Sequence, residues 1–272
     1  MFDATQRMRD FTLQVYSSMG VSASAAFEAG KQSRVISRKA GDLIWRTGAP
    51  ITHWHHIIEG MVAEQVTMDQ GLSYPLTLHS RNSCFAKHDL LGDGKAQVDY
   101  LAVTDVELLT LPASAYLALV RSDAGFAQHL LGELSSQIRQ QNNQLIVNKC
   151  SNSALRVIGG LALCAEGLCL QAEASESLPP PEDDSLMLPL SQQMIARLCG
   201  VSRTLFSEYI GQLEQGNWVR LQYRGVELQN LSAWRGVFVR LHSHQVWRRN
   251  PPVEALLSLL AECAADRQPR YA

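Results

Sequence analysis

A change of hydrophobic period near Asp123 limits most strongly what this chain can fold into. Between Val35 and Leu111 the chain runs in short apolar or alternating segments punctuated by glycine, at Ala40-Gly41-Asp42, Thr47-Gly48-Ala49-Pro50, Glu59-Gly60 and Gln70-Gly71. Turn signals this close together mark a small antiparallel sandwich or barrel, read here as a jelly roll. Beyond Asp123, the residues Ala127, Leu131, Leu134, Ile138, Gln141, Leu145 and Asn148 recur in alternating steps of four and three. Gln137, Arg139, Gln140, Asn142 and Asn143 crowd the other face. So narrow a stripe needs a partner helix, and the same helix in a second copy is the simplest one. Gln141 and Asn148 in the seam would fix a parallel dimeric register at some cost in stability. The alternative is that the helix packs on its own β domain.

The 272 residues suffice for two domains with separate cores, and 46% hydrophobic against 18% charged residues exclude wholesale disorder. No apolar run reaches the ~20 residues that cross a bilayer. Asp3, Arg7, Arg9 and Asp10 stand where a signal peptide would need apolar residues, so no membrane partner and a cytoplasmic location are expected. A net charge of −2 argues against a simple basic nucleic-acid binder. It hides an asymmetry, because residues 1–185 hold 14 Lys and Arg against 20 Asp and Glu, whereas residues 186–272 hold 10 Arg against 6 acids and no Lys. Arginine carries the planar fork that suits phosphates and guanine edges. Cys84, Cys150, Cys164, Cys169, Cys199 and Cys263 form no C-x-x-C pair and read as reduced thiols, mostly in the core.

A break at Lys149-Cys150-Ser151-Asn152-Ser153 offers N-cap candidates for a second helix over Ala154 to Glu166, and Gln171 to Asp184, with three prolines and five acids, reads as an exposed loop. From Leu190 the pattern becomes specific. Ser191 can cap a helix whose apolar face is Met194, Ile195 and Leu198. Gly200 allows a tight turn, and Ser202 can cap a second helix with Leu205, Phe206, Tyr209, Ile210 and Leu213 inward. Two short helices joined through such a glycine form a helix-turn-helix, whose second helix enters the major groove of double-stranded DNA by its first residues. Ser191 and Gln192 on the first helix, and Ser202, Arg203, Thr204, Ser207 and Glu208 on the second, are the candidate DNA contacts. Arg203 suits guanine, Thr204 a thymine methyl and Glu208 a cytosine amine. Trp218 to Leu221 and Gly225 to Leu228 flank a turn and read as a β wing, with Arg224 near phosphate.

These residues carry a family resemblance. Leu190 to Leu228 resembles the winged helix-turn-helix of the Crp/Fnr transcription regulators, above all at Ile195-Ala196-Arg197-Leu198-Cys199-Gly200-Val201-Ser202-Arg203. Ala40 to Gly48, Ile57 to Val62 and Thr104 to Leu111 are similar to that family's cyclic-nucleotide-binding-like domain. The resemblance implies an α+β protein in three parts: an N-terminal β jelly roll with its leading helix (1–122), a long dimerisation helix (123–149), and a C-terminal winged helix-turn-helix with a helical extension (150–272). It further implies a homodimer through Leu131, Leu134, Ile138, Gln141 and Leu145, acting on an inverted-repeat promoter site with RNA polymerase as a partner and an unidentified effector, and no catalysis. Departures bear on that effector. Phe85-Ala86-Lys87-His88 stands where the family has Gly-Glu, and no arginine lies between Arg81 and Arg121, so cyclic AMP is not expected. An N-terminal cysteine cluster for an iron–sulfur centre is also missing from the sequence, and Thr204 and Glu208 differ from the family's usual reading residues.

The histidines offer rivals. His53, His55 and Glu59 with His79 imitate a cupin metal set, which would make the chain a metalloenzyme. His56, His79 or His88 could instead serve a metal- or haem-binding sensor of the same fold. Against the cupin set, the family register turns Trp54, His56 and Ile58 inward and leaves His53 and His55 in solvent, so no metal or other cofactor is assigned. Cys84 near Lys87 and His88 is a candidate redox thiol, otherwise buried. Phe2 to Tyr16 reads as a helix over the β domain. Leu231 to Leu241, and the stripe Val253, Leu256, Leu257, Leu260 and Cys263 after Pro251-Pro252, read as two more helices, the last bracing the DNA-binding domain, meeting its dimer mate or binding a partner.

Overall fold

The computed structural model describes residues 2–150, 152–173, 184–223, 225–243 and 250–265. Arg224, most of the acidic loop (174–183), and the side chains of Phe2, Met8, Cys150 and Cys169 lie outside what is described. The chain forms two compact units: the first takes in the residues up to Ile138 apart from Leu72–Leu76, together with 171–176, and the second takes in Leu72–Leu76 and the rest.

In the first unit, helices α1 (Phe2–Ser18) and α2 (Ala23–Gln32) precede β1 (Arg34–Arg38), β2 (Leu43–Trp45), β3 (His53–Glu59), β4 (Val62–Thr67), β5 (Ser73–His79) and β6 (Cys84–Phe85). A short α3 (Lys87–Leu91) leads to β7 (Asp99–Ala102) and β8 (Val106–Pro112), and α4 (Ala113–Ser122) follows. The strands form two antiparallel sheets ordered β1-β8-β3-β6 and β2-β7-β4-β5, the α+β jelly-roll arrangement. Gly60 makes the β3–β4 turn with φ +91°, where an added Cβ would run into the Asp105 carbonyl, so glycine is required there.

The expected facing of β3 is reversed. His55 stacks on Phe85 at 5.0 Å and meets Trp45 of the opposite sheet at 5.7 Å, while Phe85 meets Tyr100 of that sheet at 5.4 Å. His55 and Ile57 therefore fill the space between the sheets. Trp54 faces outward onto Tyr16 of α1 and Tyr116 of α4. Trp54, His55, His56 and Ile57 are all buried, because β3 has a sheet across one face and helices over the other. His53 alone of the strand's histidines stays half-exposed, its Nδ1 2.9 Å from Thr52 Oγ1.

Helix α5 (Ala124–Cys150) is about 40 Å long at 1.5 Å per residue. Asp123 caps it, Oδ1 accepting from Phe126 N at 2.9 Å and Oδ2 from Ser22 N at 3.0 Å. Phe126 and Leu130 anchor its first turns in the first unit's core.

After α5, Asn152 caps the next helix, its Oδ1 accepting from Leu155 N at 2.9 Å. Helix α6 (Ser153–Glu173) runs past Glu166, where the sequence suggested it ends, because Ala165 and Leu168 are still core residues. Then come β9 (Ser185–Leu188), α7 (Gln192–Leu198), α8 (Arg203–Gln215), β10 (Val219–Gln222), β11 (Gly225–Gln229), α9 (Leu231–Ser243) and α10 (Val253–Ala265). β9 was not anticipated. α10 packs on α9 with Gly236 against Cys263, where a Cβ would stand 3.3 Å from the Cys263 Cβ, and with Arg240 Nη1 2.9 Å from Glu262. Asn152 Nδ2 donates to the Pro251 carbonyl at 2.9 Å, so the C-terminal extension braces its own unit. Among the described residues no helix is long and apolar enough to cross a membrane.

Candidate nucleic-acid interface

The corner between α7 and α8 is built by local signals in sequence order. Ser191 accepts from Met194 N at 3.3 Å and starts α7, Gly200 turns at φ +66°, and Ser202 accepts from Leu205 N at 3.3 Å and starts α8. Ile195, Leu198, Phe206, Ile210 and Leu213 close the core beneath. Cys199 is also core, its thiol held up in pKa by burial. The turn is fastened from behind: Arg156 Nη1 donates to the Gly200 carbonyl and Gln144 Nε2 to the Leu198 carbonyl, both at 3.4 Å.

Ser202, Arg203, Thr204, Ser207 and Glu208 are all exposed on the first turns of α8, Ser191 is exposed, and Gln192 is half-exposed at the head of α7. Arg203 makes no ion pair among the described residues. Leu205 is a correction: it is 36% exposed on the outer surface beside Arg203, not inward, because α8 is packed from one side only.

The wing forms as expected and gains a strand. β10 and β11 pair with Arg220 opposite Glu227 and Leu221 opposite Val226, and β9 adds Leu188 opposite Val226 on the far side of β11. Leu221 N donates to Glu214 Oε1 at 3.2 Å, tying the wing to the end of α8. Tyr223, next to the turn between β10 and β11, is 86% exposed, and no spacing or cap signal in the sequence marks it. Asp184 ends the acidic loop as the cap of α9, accepting from Ser232 N at 3.0 Å and Ser232 Oγ at 2.9 Å.

On α5, Leu131, Ile138 and Leu145 are 65%, 58% and 52% exposed and stand seven residues apart. Gln141 is exposed beside them, while Leu134 is half-buried and packs partly on its own β core. Asn148, at the end of the stripe, is half-buried; its Oδ1 accepts from Gln144 Nε2 at 3.1 Å and faces Gly200.

The candidate sensor residues are occupied with one another. His79 Nε2 lies 2.8 Å from Glu64 Oε1 inside the jelly roll, and Tyr100 donates to Asp89 at 2.7 Å. Burial alone would raise the Glu64 pKa, but His79 outweighs it and holds the carboxyl below its ordinary value. Burial lowers His55 to about 3 and His56 to about 4. Cys84 is buried 3.6 Å from His56 Nδ1, and burial pushes its thiol well above the ordinary range, which removes it as a redox thiol. Lys87 pulls the thiol down, as its place in the sequence suggested, but burial and the Glu133 carboxylate, with which its ammonium pairs at 3.1 Å, outweigh it. The cupin-like set does not assemble, since His79 is turned to Glu64 and His53 to Thr52. Among the described residues no three His, Cys, Asp or Glu are grouped to hold a metal ion.

Residues 35–123 match the family model of the cyclic nucleotide-binding domain. The CRP-like cAMP-activated global transcriptional regulator of Mycobacterium tuberculosis is 23% identical over 207 residues, covering 76% of this chain and 89% of its own length. Transcriptional regulator SdrP of Thermus thermophilus is 25% identical over 202 residues, covering 72% and 90%. Among solved structures, FixK2 from Bradyrhizobium japonicum superposes with a TM-score of 0.59 at 15% identity, over 75% of this chain and 96% of that one, a likeness of fold.

Proposed function

We propose that this chain, which fits the Crp/Fnr family of transcription regulators, is a cytoplasmic, non-enzymatic, sequence-specific regulator that binds double-stranded DNA as a homodimer. The observation that carries this is the capped α8, with Ser202, Arg203, Thr204, Ser207 and Glu208 exposed on its first turns while Phe206, Ile210 and Leu213 hold its back. Ser191, Gln192 and Arg224 supply flanking contacts in this proposal. The exposed Leu131, Ile138 and Leu145 on α5 support pairing with a second copy, with Gln141 and the half-exposed Leu134 at its margins. Two recognition helices would then meet successive major grooves about 34 Å apart. RNA polymerase is the natural further partner of such a complex.

The effector is not cyclic AMP. One relative is cAMP-activated, but here His55, Phe85 and Tyr100 stack between the sheets. Lys87, in the stretch that stands where the family has Gly-Glu, is paired with Glu133. Selection from random duplexes tests the function. Enrichment of an inverted repeat with half-sites one helical turn apart supports it, and failure to retard any duplex at low salt overturns it.

A further inference from the structure

A cleft of about 620 Å³ opens on the surface of the first unit, lined by residues of α1, α2 and β1 and lying outside the space between the sheets. Leu13, Phe27 and Val35 line it, with the buried Leu109 among them. Arg9, Lys31 and Arg34 also line it, and no carboxylate does among the described residues. Arg9 and Lys31 stand over the Phe27 ring at 4.6 and 4.4 Å. Lys31 shares its charge with the exposed Glu28 at 2.7 Å, and Arg34 Nη1 donates to the Ser33 carbonyl at 2.9 Å, which fixes the guanidinium. Three cations beside an apolar wall are unusual in a part of the chain where acids outnumber bases by 20 to 14.

We propose that this cleft binds an amphipathic carboxylate, its hydrocarbon lying along Leu13, Phe27 and Val35 and its charge meeting the Arg9, Lys31 and Arg34 side chains. A bare phosphate would leave the apolar wall wet, and a neutral hydrocarbon would leave the Arg9 and Arg34 guanidiniums without a counter-charge among the described residues, Glu28 serving Lys31 alone. The cleft also has a mechanical link to the long helix. The turn that launches α2 rests on the head of α5, with Ser22 N on Asp123 Oδ2 at 3.0 Å. Gly20 is so close that a Cβ there would stand 3.2 Å from the Gly125 carbonyl. A ligand that shifts α2 therefore bears on the first turn of α5. This link to DNA rests on the regulator proposed above, whereas the binding site does not.

The test is calorimetric titration of the full chain with dodecanoate, using dodecan-1-ol as the uncharged control. Saturable binding at one site is expected, weakened about tenfold by Arg34→Ala and by loss of the carboxylate, the equivalent of one charge-assisted hydrogen bond. Gly30→Leu is expected to abolish it. An added Cβ at Gly30 meets only Thr12 Cγ2, at 3.7 Å, so the side chain enters the cleft without a backbone clash, and a helical glycine is replaced by a better helix former. Absence of saturable binding, or binding unchanged in Gly30→Leu with its helix content intact, overturns the site. A gel shift on a selected duplex with and without dodecanoate separates the two proposals. A retarded duplex with no dodecanoate binding leaves the regulator standing and removes the cleft. Dodecanoate binding with no duplex retarded does the reverse. Both binding, with DNA affinity unmoved by dodecanoate, removes the link to α5.

Discussion

Lys87 Nζ lies 3.1 Å from Glu133 Oε2, joining the short helix after β6 to the long helix α5. The Lys87 side chain is 9% exposed and that of Glu133 27%, so the pair is only partly screened by water. Glu133→Gln leaves the ammonium buried beside a neutral amide. We expect a loss of about 1–3 kcal/mol in urea unfolding, below the cost of breaking a fully buried pair because Glu133 reaches solvent. Lys87→Met added to Glu133→Gln should recover part of it. Unchanged stability in the single variant would show that the pair contributes nothing.

Acid sensitivity follows from β3. His55 and His56 have folded pKa values lowered to about 3 and about 4, against an ordinary 6.5, because burial disfavours their charged forms. The unfolded chain therefore binds more protons below pH 6.5. The stability these groups confer is complete above that pH and is lost as the pH falls toward the folded values, with a slope approaching about 1.4 kcal/mol per pH unit for each group. His55→Phe keeps the stack on Phe85 and should flatten the stability curve between about pH 4 and pH 6 by one group's share. A slope as steep as the parent's in chemical unfolding at several pH values would contradict this.

Ile138 sits midway along the exposed α5 stripe, at 58% exposure. Ile138→Glu should convert a sedimenting dimer to a monomer without unfolding it, because the side chain already faces solvent. Affinity for a full inverted repeat should then drop by about a hundredfold, toward that for a half-site. A dimer that survives this substitution would place the subunit contact elsewhere.

Arg203 and Arg224 are expected to behave differently on DNA. Arg203→Ala should cost about 1–3 kcal/mol and relax preference at one base pair. Arg224→Ala should weaken all sequences alike and reduce the salt slope by about 1. Binding to a panel of single-base operator variants at several salt concentrations separates the two. Uniform loss for Arg203, or an unchanged slope for Arg224, would reverse that assignment.

The helix-turn-helix was legible because Ser191, Gly200 and Ser202 each act on backbone within a few residues of themselves. β9 was not, because its partner across Leu188 and Val226 is remote in sequence and neither strand announces the other. The alternation of β3 was equally plain, yet it could not say which face was dry. Both faces are, since α1 and α4 cover Trp54 while the second sheet covers His55. The surroundings of Cys84 misled for a related reason. Lys87 is near in sequence and does act on the thiol, but burial and Glu133, 46 positions from Lys87, outweigh it. Leu205 fits an inward stripe by spacing alone, and only the one-sided packing of α8 leaves it at the surface.

The stripe of Leu131, Ile138 and Leu145 leaves aliphatic surface in water whenever the protomer is alone. Paired as proposed, that surface makes folding, dimerisation and operator occupancy parts of one linked equilibrium. Apparent thermal stability then rises with protein concentration, and the copy number of the chain becomes an input to the response alongside any ligand.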